Sequence, residues 1–252
     1  MKVQILSDIH LEFSRKNINF PDIIEPMEGC NILILAGDIG YITNKNWRNF
    51  MYYISDRWEY IVYVLGNHEY YSPTHDFYAL QNMYKKYLSS FFDNIYLLEH
   101  ESIKINDYVI AGCTLWSNPL TTDGLNDFNH IKVTYVNNID KYCVDDMMSL
   151  AFIRSYNMKS IDWIKYQLSL NKNNKLILVT HFPTTKQNIT HTTDHNMIHY
   201  YGNDLTFTTP VIAISGHTHS NVDTISNNVR YISNSSCNRM YKRTKDNKYF
   251  QL

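Results

Sequence analysis

Five short apolar runs in this chain hand over to the same kind of residue. Val3–Leu6 is followed by Asp8 and His10, and Ile32–Leu35 by Asp38. Ile61–Leu65 is followed by Asn67 and His68, Leu176–Val179 by His181, and Val211–Ile214 by His217 and His219. Runs of this length bounded by turn residues read as fully buried strands. Sites in α/β sheets gather at the carboxyl ends of strands, which is where all of these polar residues stand. The stretch Asn31-Ile-Leu-Ile-Leu-Ala-Gly-Asp-Ile-Gly40 shows the pattern most plainly. A buried strand ends in a small residue and a glycine, delivering the Asp38 carboxylate to the rim of a sheet with backbone room around it.

The segments between the runs set the class. Trp47, Phe50, Met51 and Ile54 fall at helical spacing, so about 46–58 is an amphipathic helix. A second helix opens near Ser72-Pro73-Thr74, capped by Ser72 or Thr74, and runs to about Leu88. Ile95–Leu98, Ser102–Ile105 and Tyr108–Cys113 read as strands, with Asn106-Asp107 as a hairpin turn. Residues 116–138 are rich in turn residues and read as a long loop. A helix from about Val144 to Leu170 follows, Val229–Ile232 adds a late strand, and the tail from Asn238 is polar. Alternating strands and helices with a strand-rich end indicate an α/β fold with mixed rather than purely parallel sheets.

Composition narrows the function classes. With 252 residues, 44% hydrophobic and 19% charged, the chain can bury a large core, so a disordered reading fails. A net charge of −1 supplies no basic field for nucleic acid or an anionic membrane. The four cysteines, Cys30, Cys113, Cys143 and Cys237, have no paired spacing and read as reduced thiols. The N-terminal apolar run is too short for a signal peptide or membrane span, so a cytoplasmic location is expected. Oligomeric state is not legible.

Seven residues are candidate metal ligands: Asp8, His10, Asp38, Asn67, His181, His217 and His219. Oxygen ligands suit hard cations and imidazole suits transition metals, so the mixed set fits Mn, Fe, Zn or Ni. Seven ligands are too many for one tetrahedral ion and fit two ions sharing a bridging carboxylate. Asp8-Ile-His10, Gly37-Asp38, Gly66-Asn67-His68-Glu69, His181 and Gly216-His217-Thr218-His219 follow the order and spacing of the calcineurin-like metallophosphoesterase superfamily, which the chain resembles across residues 8–219. It is most similar to small, uncapped members.

The resemblance implies one domain over 1–252, a four-layer α-β-β-α sandwich of two mixed sheets with a di-metal site at the sheet edges. It places Asp8, His10 and His219 on a first metal and Asn67, His181 and His217 on a second, with Asp38 bridging. His68 becomes general acid and, with Asn67, a contact to the substrate phosphate. The expected reaction is hydrolysis of a phosphodiester or phosphomonoester, conceivably of a nucleotide, by in-line attack of a metal-bridging hydroxide. The alternatives are a catalytically silent, protein-binding scaffold and a phosphoprotein phosphatase. Phosphoprotein phosphatases of this superfamily carry Gly-Asp-x-x-Asp-Arg-Gly. Here Gly37-Asp38 continues as Ile39-Gly40-Tyr41, without the second Asp or the Arg, which argues against that alternative.

Several residues are left with two readings. His191, His195 and His199 lie four apart, as a further metal or phosphate site or as a polar loop or short helix. Glu69 either orients His68 or a ligand, or caps the next helix. Tyr70, Tyr71, Trp116 and Trp163 either stack a base or pack the core and rim. The basic residues after Asn238 attract a polyanion or are simply solvated. The segment Leu125-Asn-Asp-Phe-Asn-His-Ile-Lys132 also resembles part of the small family members, with no role assigned.

Overall fold

The computed structural model describes residues 1–14, 18–137, 142–172, 175–187, 189, 194–238, 242–243 and 249–252. In chain order the elements are β1 (Lys2–Leu6), β2 (Ile32–Ala36), α1 (Lys45–Ser55), β3 (Tyr60–Val64), α2 (Phe77–Phe91), β4 (Ile95–Leu97), β5 (Glu101–Ile105) and β6 (Tyr108–Cys113). They continue as α3 (Asp127–His130), β7 (Lys132–Asn137), β8 (Tyr142–Met147), α4 (Leu150–Leu170), β9 (Lys175–Thr180), α5 (His195–Tyr201), β10 (Val211–Ser215), β11 (Val222–Ser226) and β12 (Val229–Ser233). Short pieces β13 (Cys237–Asn238), β14 (Lys242–Arg243) and β15 (Tyr249–Gln251) end the chain.

Two mixed sheets carry the fold. The first has strand order β15-β1-β2-β3-β4, parallel except for β15, and the second has β11-β12-β10-β9-β6-β5, parallel except at the two edges. Strand β2 shows why they stack. All five of its residues are buried, because the sheet is covered on both faces. Ile32, Ile34 and Ala36 point into the core between the sheets, with Val3, Ile5, Val62, Ile177 and Ile214. Leu33 and Leu35 point outward against Trp47, Phe50 and Ile54 of α1 and Leu80 and Tyr84 of α2. On the far side, Ile164 of α4 covers Leu176, Leu178 and Ala213. This is the expected four-layer α-β-β-α sandwich, and strands β1, β2, β3, β9 and β10 end on one rim.

Four expectations need correction. The second helix starts later than expected: Asp76, not Ser72 or Thr74, caps α2 by accepting the Ala79 N–H at 2.7 Å. Ser72 instead accepts the N–H groups of Thr74 and His75, closing a local turn. Residues 116–138 are not all loop, since α3 and β7 lie within them. Residues 144–147 belong to β8, antiparallel to β7, and the long helix begins only after Ser149, whose side chain accepts the Phe152 N–H. Val144 and Met147 are three apart, a helical spacing, but they precede the Ser149 cap, which decides the boundary. Finally, the tail is not wholly solvated, because Phe250 is buried and β15 pairs with β1. Of the basic tail only the backbone of Asn238, Lys242 and Arg243 is described, and His191 and the side chains of Cys143 and Cys237 lie outside the described set. Cys30 and Cys113 are free thiols and buried.

Candidate metal centre

The ligand-bearing strands end in an unusual backbone. Asp8, His10, Asp38, His217 and His219 all have positive φ, between 50° and 68°. For residues with a Cβ this left-handed conformation costs about 1–2 kcal/mol each. Along a strand, alternate side chains share a face only while the chain stays extended. The left-handed steps instead turn each strand tip so that Asp8 with His10, and His217 with His219, converge on the rim. Two glycines make the room. A Cβ on Gly66 would overlap the Asp38 carboxylate, and one on Gly37 would overlap the His181 ring.

The convergence yields three overlapping groups of possible ligands among the described residues, each with donor atoms within 4.8 Å of one another. Asp8, His10 and His219 form a first set, Asp38, His181 and His217 a second, and His10, Asp38 and His68 a group between them. Asp38 stands between the first and second sets: its Oδ2 lies 3.7 Å from His10 Nε2 and its Oδ1 3.5 Å from His181 Nε2. Asn67 Oδ1 joins the second set, 3.0 Å from His181 Nε2. In the first, His10 Nε2 and His219 Nε2 are 3.1 Å apart. Two nitrogens about 2.0–2.1 Å from one tetrahedral ion would be separated by about 3.3–3.4 Å.

The donor chemistry fits cations. His181 Nδ1–H donates to the Ala36 carbonyl at 2.8 Å, and His10 Nδ1–H to Glu12 Oε1 at 3.1 Å, which leaves Nε2 of each ring as the inward donor. His217 Nε2 is buried with no hydrogen-bond partner. Burial, and then the charge of His181, hold the His217 imidazole well below its ordinary range, so it is neutral as a ligand must be. Burial also opposes the charge on Asp38, but His181 and His68 hold that acid well below the carboxylate range. His181 is lifted to about 9: burial pushes it down, and the Asp38 carboxylate overrides this. In the protein alone an imidazolium thus supplies the positive charge that a cation would bring.

His68 stands beside this group, with its Nδ1 3.0 Å from Glu12 Oε1 and its backbone N–H on Asp38 Oδ1 at 2.9 Å. Its ring stacks on Tyr71 at 4.5 Å. Burial lowers its pKa, but Asp38 and Glu12 outweigh that and raise it to about 9. Glu12, absent from the sequence-derived site, therefore holds both His10 and His68 through one oxygen. Its position two residues after His10 is the signal that could have found it.

Glu69 does not orient His68 and caps no helix. Fully buried, it accepts the N–H groups of Asp38, Ile39, Gly40 and Gly66 at 2.6–3.2 Å and the Tyr63 hydroxyl at 2.8 Å. It thereby fixes the backbone that carries Asp38, so that of its two readings the orienting of a ligand holds. The segment 125–132 gains a role too, through Asp127, which accepts the Asn67 side-chain N–H at 2.8 Å.

Above the rim opens a cleft of about 610 Å³. Its lining includes Asp38, Asn67, His68, His217 and His219 from the expected site, with Tyr71, Met197, Tyr200 and Tyr201 as a side wall. Of the four aromatic candidates, Tyr71 lines this cleft, Tyr70 and Trp116 are core, and Trp163 meets His100 edge-on. His195 and His199 lie on the short helix α5 with rings 4.7 Å apart. His199 Nδ1 is 3.0 Å from Lys186 Nζ, so the short-helix reading of this segment holds for these two.

The sequence model of the calcineurin-like phosphoesterase family matches residues 1–221. An uncharacterised protein of Acanthamoeba polyphaga mimivirus is 31% identical over 241 residues, covering 86% of this chain and 84% of the viral protein. Among solved structures, the phosphopantetheinyl hydrolase of Mycobacterium tuberculosis superposes with a TM-score of 0.68 at 18% identity, over 93% of this chain and 88% of that one. At that identity the likeness speaks for the fold.

Proposed function

Because this chain belongs to the calcineurin-like phosphoesterase family of metal-dependent phosphoester hydrolases, we propose that residues 1–252 form a single catalytic domain that hydrolyses phosphomonoesters or phosphodiesters at a centre of two divalent ions. Asp8, His10 and His219 hold one ion, Asn67, His181 and His217 the other, and Asp38 is shared. Mn, Fe, Zn or Ni suits these donors. One observation carries the reading: Asp38 turns a different carboxylate oxygen to each ligand set, at 3.7 Å and 3.5 Å from the nearest imidazole of each.

Bound there, two cations lower the pKa of a water and neutralise the phosphoryl oxygens. The chain supplies the rest. His68, its Nδ1–H tied to Glu12, is the group that gives a proton to the leaving oxygen, from Nε2. Asn67 and His68 both line the cleft where the phosphoryl group would sit, His68 as a hydrogen-bond donor to it and Asn67 through the ion it helps hold. The tyrosine wall gives the organic part of the substrate a ring surface, which favours aryl or nucleoside-type esters over small aliphatic ones. No helix among the described residues is long and apolar enough to cross a membrane.

The test is turnover of aryl phosphomonoesters and diesters by protein reconstituted with Mn, Ni, Zn, Fe or Mg. Activity with at least one ion, abolished by chelator, is expected. His68→Ala should keep both ions and lose about 10²–10⁴-fold in kcat. Inactivity with every ion and ester would replace this reading with a silent scaffold.

A further inference from the structure

Asp127 is fully buried on α3. Taking an ionised carboxylate out of water costs several kcal/mol unless donors replace the lost hydration. Three do so here, and all are neutral. The Asn67 Nδ2–H at 2.8 Å and the Tyr71 hydroxyl at 2.6 Å share Oδ1, while the Tyr200 hydroxyl reaches Oδ2 at 3.0 Å. These donors come from three parts of the chain: the turn after β3, the residues just beyond it, and α5. All three line the same cleft. A carboxylate kept only to hold the fold together would have no reason to draw every donor from the site.

An amide has two unlike ends, and only its oxygen can bind a cation. With Nδ2 committed to Asp127, the Asn67 Oδ1 is turned toward His181, 3.0 Å away. Rotated by half a turn, Asn67 would present hydrogens to the second ligand set. Tyr71 and Tyr200 are each pinned at the hydroxyl, which fixes how far their rings lean into the cleft. We propose that Asp127 is a positioning residue that fixes the cation-facing end of Asn67 and, through the same carboxylate, the two tyrosines that wall the cleft. This rests on the metal centre proposed above, but its deciding readout, ion binding, does not depend on turnover.

Asp127→Leu removes both acceptor oxygens while keeping the branched shape of the side chain. Asp127→Asn keeps one oxygen for Asn67 and adds an amide N–H that a tyrosine hydroxyl can accept. Binding of Mn²⁺ to each full-length variant is measured by equilibrium dialysis, with electron paramagnetic resonance to distinguish a coupled pair of ions from a single ion. Asp127→Leu should weaken the second ion about 10–100-fold, leave the first unchanged, and replace the coupled signal with that of an isolated ion. Asp127→Asn should stay close to the unaltered protein. Two ions at undiminished affinity in Asp127→Leu would overturn the proposal. Equal weakening of both ions would also overturn it by marking a general defect, as would an Asp127→Asn variant as impaired as Asp127→Leu. Should Asp127→Leu fail to fold, the Asp127→Asn result and a Tyr71→Phe, Tyr200→Phe double variant decide. The double variant should keep both ions and raise KM with little change in kcat, whereas loss of the second ion from it would refute the assignment. Absence of turnover in the unaltered protein would sink the proposed activity and leave this metal-binding test standing.

Discussion

The first ligand set opens to solvent only at His219, whose side chain is 37% exposed while Asp8 and His10 are buried, whereas the second is sealed throughout, with His181 fully buried and His217 7% exposed. The two sets also orient their histidines differently. In the open set, His10 leans on a side chain, Glu12, while in the sealed set His181 leans on a backbone carbonyl, Ala36. A carbonyl cannot be altered by substitution, and a carboxylate can. His181 is therefore oriented by the backbone itself and His10 by a side chain that could have been otherwise, while Asn67, beside His181, leans on the Asp127 side chain. Asp38 belongs to both sets, which makes it the natural place to break the contrast.

The largest effect is expected there. Asp38→Asn should cost occupancy of both ions and lower the rate by several orders of magnitude, read by elemental analysis of dialysed protein and by turnover. Loss of a single ion would show that the halves are independent and that the carboxylate does not bridge. Of the two ligand sets, Glu12→Gln should touch only the open one, while also loosening His68. It should weaken the first ion about 10–100-fold while the second is retained, because His10 loses its charged acceptor. Equal weakening of both would erase the distinction drawn here.

The smallest effect is a pH dependence of stability in the ion-free protein. His181 and His68 have folded pKa values near 9, above the unfolded value of about 6.5. Their contribution is complete below about pH 6.5 and is lost as pH rises through 9, since the folded state holds protons that the unfolded state has released. The melting temperature of chelated protein should fall across that window. Ion-loaded protein should show a shallower fall, because the cations then supply the charge opposite Asp38.

Much of this was legible in the sequence because the relevant signals are local. A run such as Ile32–Leu35 buries both faces, and the Gly-Asp that follows marks its tip. Five such tips could be recognised one at a time. What escaped depends on partners far along the chain. Glu12 matters through His68, 56 residues away, and Asp127 through Asn67, 60 residues away. Neither pairing leaves a periodic trace. Phe250 reads as part of a polar tail until β15 is seen against β1, and Val144 and Met147 fit a helical stripe until Ser149 supplies the cap. Edge strands and helix starts are decided by such tertiary or single-residue events, and an apolar count cannot register them.

The grip of Glu69 on four consecutive-loop and turn amides has one further consequence. Small zinc domains often fold only when their ion arrives, so loading carries the entropic cost of ordering the chain. Here the Asp38 loop is tied down by a carboxylate that is no ligand itself. Ordering and loading would then be separate events, and an ion would enter a cradle that already stands.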